Sequence, residues 1–165
     1  MTEKKAKKAK APKKEMIVLD GEKCTLGRVA AFAAKKALEG KRVVIFNAEK
    51  MLVSGKLEPM FADLKKRHDG KSYINPRRFG PHRPKNADRY VRRVIRGMLP
   101  WGKMRGKRAF KNVMVYMGKA EKEIMKKEHI DLSKAKLEDN SQFKKHYDYY
   151  VTVGDICVYL GGKNG

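Results

Sequence analysis

Between residues 16 and 46 the sequence runs apolar, then helical, then apolar again, an order that few architectures other than an α/β sheet accommodate. Met16-Ile17-Val18-Leu19, closed by Asp20-Gly21, predicts a buried strand and a turn. Leu26, Val29, Ala30, Ala33, Ala34, Ala37 and Leu38 then recur at helical spacing on one face, with Thr25 as N-cap and Gly40 just past the end. Val43-Val44-Ile45-Phe46 is apolar without alternation, the pattern of a strand covered on both faces. Strand, helix, strand at this spacing is a βαβ unit, right-handed and parallel. The 165 residues suit one such domain.

The remaining elements follow from the same signals. Ser54-Gly55 precedes a helix to about Arg67, with Met60, Phe61 and Leu64 inward and Pro59 tolerated near its first turn. Asn86 caps a helix from Ala87 to about Leu99, stopped by Pro100, with Val91, Val94, Ile95 and Met98 on one face. Trp101–Lys111, with Gly102 and Gly106, reads as loop. Val113–Met117 reads as a third strand, Lys119–Glu128 as a charged helix and 129–142 as loop. Tyr147–Val153 reads as a fourth strand, with Tyr147, Tyr149 and Tyr150 as strand core rather than a platform for bases. Thr152 and Asp155 form a capping box for a short helix over Ile156–Leu160, which Gly161-Gly162 terminates.

Charge supplies the functional argument. The chain carries 41 Lys+Arg against 18 Asp+Glu, a formal net charge of +23. Residues 1–14 are a low-complexity Lys and Ala tail of net +6, too polar to fold alone. Residues 71–111 hold 14 basic residues and one acid, Asp88, for a net of +13. The rest of 15–165 is close to neutral, so a near-neutral body carries two basic appendages. A solvated surface usually mixes signs and leans on Lys and Glu, whereas nine of the twelve arginines fall in 71–111. Guanidinium forks bind two phosphate oxygens at once and stack on bases, which makes nucleic acid the expected partner.

The expected RNA-contacting residues are Arg77, Arg78, His82, Arg83 and Lys85 in a Gly/Pro-punctuated loop, and Arg89, Arg92, Arg93 and Arg96 on the polar side of the helix. Trp101, Lys103, Arg105, Lys107 and Arg108 follow it. Trp101 is equally suited to stacking on a base and to anchoring the turn beside Pro100. RNA is favoured over DNA because no helix-turn-helix, zinc finger or zipper presents a helix to a major groove, and irregular basic segments suit a folded RNA read by shape.

Other function classes find little support. The longest apolar runs, Val29–Ala34 and Val43–Phe46, are far too short to span a bilayer, and no signal or transit pattern opens the chain. Cys24 and Cys157 without a CxxC read as reduced, buried thiols of a cytoplasmic protein, and His68, His82, His129 and His146 lack zinc spacing, so neither a metal nor another cofactor is expected. Ser54-Gly55-Lys56 lacks the first glycine and the hydroxyl of a phosphate loop, and Thr25-Leu26-Gly27-Arg28 lacks a dinucleotide fingerprint, so no small-molecule substrate is implied. The alternatives are an RNA-modifying enzyme of Rossmann-like build, which predicts a nucleotide pocket, and a DNA-compacting protein, which predicts tight duplex binding.

Several stretches together carry a family resemblance. They are Leu26-Gly27-Arg28-Val29-Ala30, Val43-Val44-Ile45-Phe46-Asn47-Ala48-Glu49-Lys50 with Val53-Ser54-Gly55, and Arg92-Arg93-Val94-Ile95-Arg96-Gly97-Met98-Leu99-Pro100-Trp101. Arg105-Gly106, Ala109-Phe110, Tyr116-Met117-Gly118 and Tyr150-Val151-Thr152-Val153-Gly154-Asp155-Ile156 complete the set. The sequence resembles the universal large-subunit ribosomal protein L13 family in its archaeal form. That resemblance implies a three-layer α/β/α fold around a mostly parallel four-stranded sheet, with basic loop and tail extensions. It implies a non-catalytic constituent of the large ribosomal subunit that contacts large-subunit rRNA and neighbouring ribosomal proteins and joins early in assembly. The Lys-rich residues 1–14 and the stretch 129–146 depart from the family pattern.

Overall fold

A computed structural model describes residues 15–70, 74–75, 78, 84–118, 136–137 and 140–162. The expected βαβ unit is present as β1 (Met16–Asp20), α1 (Leu26–Leu38) and β2 (Arg42–Phe46), and the two strands pair in parallel from Met16↔Arg42 to Asp20↔Phe46. The alanine face of α1 does what its small side chains allow: Ala30, Ala33, Ala34 and Ala37 are buried. Gly40, at φ +93°, carries the chain out of the helix in a conformation that a Cβ would strain.

After a 3-10 turn at Ala48–Lys50 come β3 (Leu52–Ser54), α2 (Leu57–Asp69), α3 (Ala87–Gly97), α4 (Met104–Lys111) and β4 (Val113–Val115). Then follow β5 (Lys136–Leu137), a second 3-10 turn at Asn140–Phe143, β6 (Tyr150–Thr152) and α5 (Val153–Tyr159). The strands β4-β2-β1-β5 form a four-stranded, all-parallel sheet, while β3 and β6 form a separate antiparallel pair.

Three expectations need correction. The fourth strand of the parallel sheet is Lys136–Leu137, inside the stretch read as loop, because two residues are too few to show an apolar pattern. Tyr147–Val153 does not supply it. Only Tyr150–Thr152 is extended, and its alternation of exposed Tyr150 with buried Val151 suits a one-sided antiparallel ribbon, not a strand covered on both faces. Tyr149 and Tyr150 are accordingly 62% and 55% exposed, so they are not strand core. The expected helix at Lys119–Glu128 and the tail 1–14 lie outside the described residues.

Both faces of the sheet are covered. Ile17, Leu19, Val43 and Ile45 join the main core with α1, Val91 and Ile95 of α3, Val153 and Cys157. Val18, Val44 and Phe46 point the other way, with Met16 and Tyr116 packed against them. The capping box that opens α5 is complete: Thr152 Oγ1 accepts from the Asp155 N–H at 3.1 Å, and the Asp155 carboxylate accepts from the Thr152 N–H at 3.2 Å. Its closing turn is paired too, with the Gly161 and Gly162 N–H groups donating to Val158 and Cys157 carbonyls at 2.8 and 2.7 Å. Gly162 does more than end the helix. A Cβ there would overlap the Lys85 carbonyl, so this glycine lets the C-terminal turn abut the residues that lead into α3.

Candidate nucleic-acid interface

The strongly basic residues are held by α3, the turn after it and α4. On α3, Ala87, Val91 and Ile95 are buried against the body, and Leu99 beyond its end is buried too. Met98 was expected inward but is 43% exposed, because it is the C-cap residue, where the chain leaves the helix. With one stripe committed to the core, 100° per residue turns Arg89, Arg92, Arg93 and Arg96 away from it; Arg89 is exposed and the other three half-buried.

Trp101–Lys111 is not a loop throughout, as expected from its glycines. Met104–Lys111 is helix α4, with Lys103 at its N-cap position. The glycine that suggested a loop is the residue that seats the helix. A Cβ on Gly106 would overlap the Pro100 carbonyl, and Gly106 and Ala109 form the buried stripe. Arg105, Lys107, Arg108 and Lys111 are left exposed.

Where α3 meets α4, arginines and rings alternate. The Arg92 guanidinium lies 4.8 Å from the Phe110 ring centroid, Phe110 meets Trp101 edge-on at 5.3 Å, and the Arg96 guanidinium lies 5.1 Å from the Trp101 ring. Each of the two arginine–ring contacts contributes on the order of 0.5–1 kcal/mol. Its larger consequence is orientation. Rings hold these two arginines in place without consuming their hydrogen-bond donors, as a carboxylate would. Among the described residues, neither Arg92 nor Arg96 has a carboxylate partner and the buried Arg92 Nε has no hydrogen-bond partner. Trp101 packs against Phe110 and Arg96 and remains 40% exposed. Phe110, which links the two arginines, is the residue that charge-based reading misses.

The other expected contacts are placed unevenly. Arg78 is exposed in a turn after Asn75, whose φ is +46°. Lys85 is exposed just before α3, above the glycine turn that closes α5. Arg77, His82 and Arg83 lie outside the described residues. The basic segment is thus no simple appendage, since residues 87–111 supply core through Val91, Ile95 and Ala109. Among the described residues, no group of three or more His, Cys, Asp or Glu side chains could hold a metal ion, and no helix is long and apolar enough to cross a membrane.

Residues 14–122 match the family described as Ribosomal protein L13. The chain belongs to the ribosomal protein L13 family. Its relatives include the large ribosomal subunit protein uL13 of Methanococcus maripaludis, 36% identical over 148 residues that cover 90% of this chain and 99% of the relative. The protein of the same description from Methanocaldococcus jannaschii is 34% identical, with the same coverage of both chains. That of Archaeoglobus fulgidus is 35% identical over 147 residues, 89% of this chain and 88% of the relative. L13 proteins are structural ribosomal proteins, not enzymes. The L13 match runs from β1 through β4, so every basic residue singled out above falls inside it, and residues 1–13 fall outside.

Proposed function

We propose that this L13 protein is a structural constituent of the large ribosomal subunit that binds large-subunit rRNA through α3, α4 and the basic residues preceding them. One observation carries the reading: the alternation of Arg92, Phe110, Trp101 and Arg96, in which arginines are oriented by rings and left without carboxylate partners. Phosphates are the natural acceptors for such a set, and Trp101, 40% exposed, can meet an unstacked base. The curated relatives, named as large-subunit proteins, support the same assignment.

The same geometry supports a role early in assembly. The RNA-facing helices are packed into the core, so the surface needs no other protein to form it. Its partners in the cytoplasm are then the rRNA and the large-subunit proteins that settle beside it. We also read the fold as three layers, a reading supported by the main core on one face of the sheet and by the burial of Val18, Val44 and Phe46 on the other.

The test is a salt titration of binding to large-subunit rRNA. Each neutralised phosphate steepens the dependence of log affinity on log salt by about 0.7–0.9. Arg92→Glu/Arg96→Glu should flatten the slope by about two contacts and leave the circular dichroism spectrum unchanged. An unchanged slope, or an unfolded variant, contradicts the assignment of this face.

A further inference from the structure

A second surface, sharing no residue with α3 or α4, combines exposed aromatic rings with lysines that have no carboxylate partner among the described residues. It is built where β6 runs beside β3. Tyr150 pairs with Ser54, and the Gly55 N–H donates to the Tyr149 carbonyl at 3.1 Å, so the two tyrosines are fixed at the start of the ribbon. Both are more exposed than buried, at 62% and 55%. The Lys56 ammonium lies 5.4 Å from the Tyr149 ring centroid, and the Lys145 ammonium 5.5 Å from that of Tyr147. Lys144, next to Lys145 in the sequence, is exposed as well. None of Lys56, Lys144 and Lys145 has a carboxylate partner among the described residues. Asp148 is the one acid among residues 144–150.

The surface is held in place from below. Phe143 is buried with its ring edge-on to Phe32 at 5.1 Å, its carbonyl accepts from the Thr25 N–H at 2.9 Å, and the Thr25 hydroxyl donates to the Tyr147 oxygen at 3.4 Å. The start of the Lys144–Tyr150 segment is thus tied to the beginning of α1, and its end to β3.

Rings held open beside ammonium groups offer what a single-stranded nucleic acid requires: a flat apolar face for a base and a cation for the phosphate next to it. A sequence-tolerant stacking platform works in this way, and it differs from the arginine face in using lysines as point charges with tyrosine rings as the stacking partners. We propose that Tyr149, Tyr150, Lys56, Lys144 and Lys145 form a second RNA-binding site that takes unpaired, unstacked bases. This site goes beyond the arginine-helix reading and does not depend on it.

The test uses the full chain and a labelled oligouridylate of about twelve nucleotides, long enough to cover one stacking platform. At about 0.3 M salt, where phosphate attraction is weakened, stacking carries a larger share of the affinity. Tyr149→Ala/Tyr150→Ala should weaken binding about tenfold or more, and Tyr149→Phe/Tyr150→Phe, which keeps the rings, should restore it to within about twofold. Lys56→Gln/Lys145→Gln should flatten the salt dependence. The tenfold loss should recur in the Arg92→Glu/Arg96→Glu background, which separates this site from the arginine face. Oligouridylate binding by the folded double-alanine variant equal to that of the parent overturns the proposal. So does recovery by alanine-like side chains such as Tyr149→Ser/Tyr150→Ser, and either result would leave the surface to a protein partner.

Discussion

Single residues decide how close the basic helices can come to the body, and Gly106 decides most. Its missing Cβ leaves room for the Pro100 carbonyl, which is backbone and cannot swing aside. Gly106→Ala should therefore destabilise the fold by about 1–3 kcal/mol, the range of core overpacking, although alanine is the better helix former. A thermal melt lowered by several degrees checks this; an unchanged or raised midpoint would show that α4 can lift away at no cost. Cys157 sets a pH dependence. Burial, with a smaller effect from the Asp88 carboxylate, pushes its thiol from 9.0 up to about 11, and burial raises Cys24 and Tyr90 in the same direction. A folded-state pKa above the unfolded one means that the native state holds the proton longer, so stability is complete below pH 9 and declines as pH rises from about 9 to 11. Cys157→Ala should shallow that decline in urea denaturation midpoints measured across the window, whatever it costs at neutral pH. Parallel profiles for parent and variant would contradict it.

At the scale of elements, legibility followed periodicity. The βαβ unit was plain because α1 devotes seven positions at helical spacing to one face and β2 is apolar throughout. Helix α3 was equally plain, with valine and isoleucine on one side and arginine on the other. Helix α4 was hidden because its buried stripe is Gly106 and Ala109, residues that carry almost no hydrophobic signal. Strand β5 was hidden because it spans two residues, and β6 was misplaced because Tyr149 and Tyr150 have high strand propensity but are turned to solvent by the ribbon. The same contrast assigns energetic roles within α3. Ile95 is fully buried, so Ile95→Ala should cost about 2–5 kcal/mol of stability in denaturant unfolding. Arg96→Ala, one position on, loses a contact with Trp101 of about 0.5–1 kcal/mol. Equal losses for the two would show that the helix does not divide into a core side and a binding side.

For the whole molecule, the informative quantity is where the net charge of +23 sits, because 14 of the basic residues fall in 71–111. The sequence identifies the residues that carry this charge and the partner class they suit. It does not show that residues 87–111 are part of the body, because that depends on contacts among α1, α3 and α4 that lie far apart along the chain. Once α3 and α4 are seated there, the arginines become a preformed surface, and incorporation into the large subunit should depend on them more than on the fold's stability. The direct measurement is co-sedimentation of tagged chains with large subunits through a high-salt gradient. The parent chain should sediment with the large subunit, and Arg92→Glu/Arg96→Glu, folded by circular dichroism, should remain at the top. Sedimentation of the folded variant in the same proportion as the parent would contradict the account.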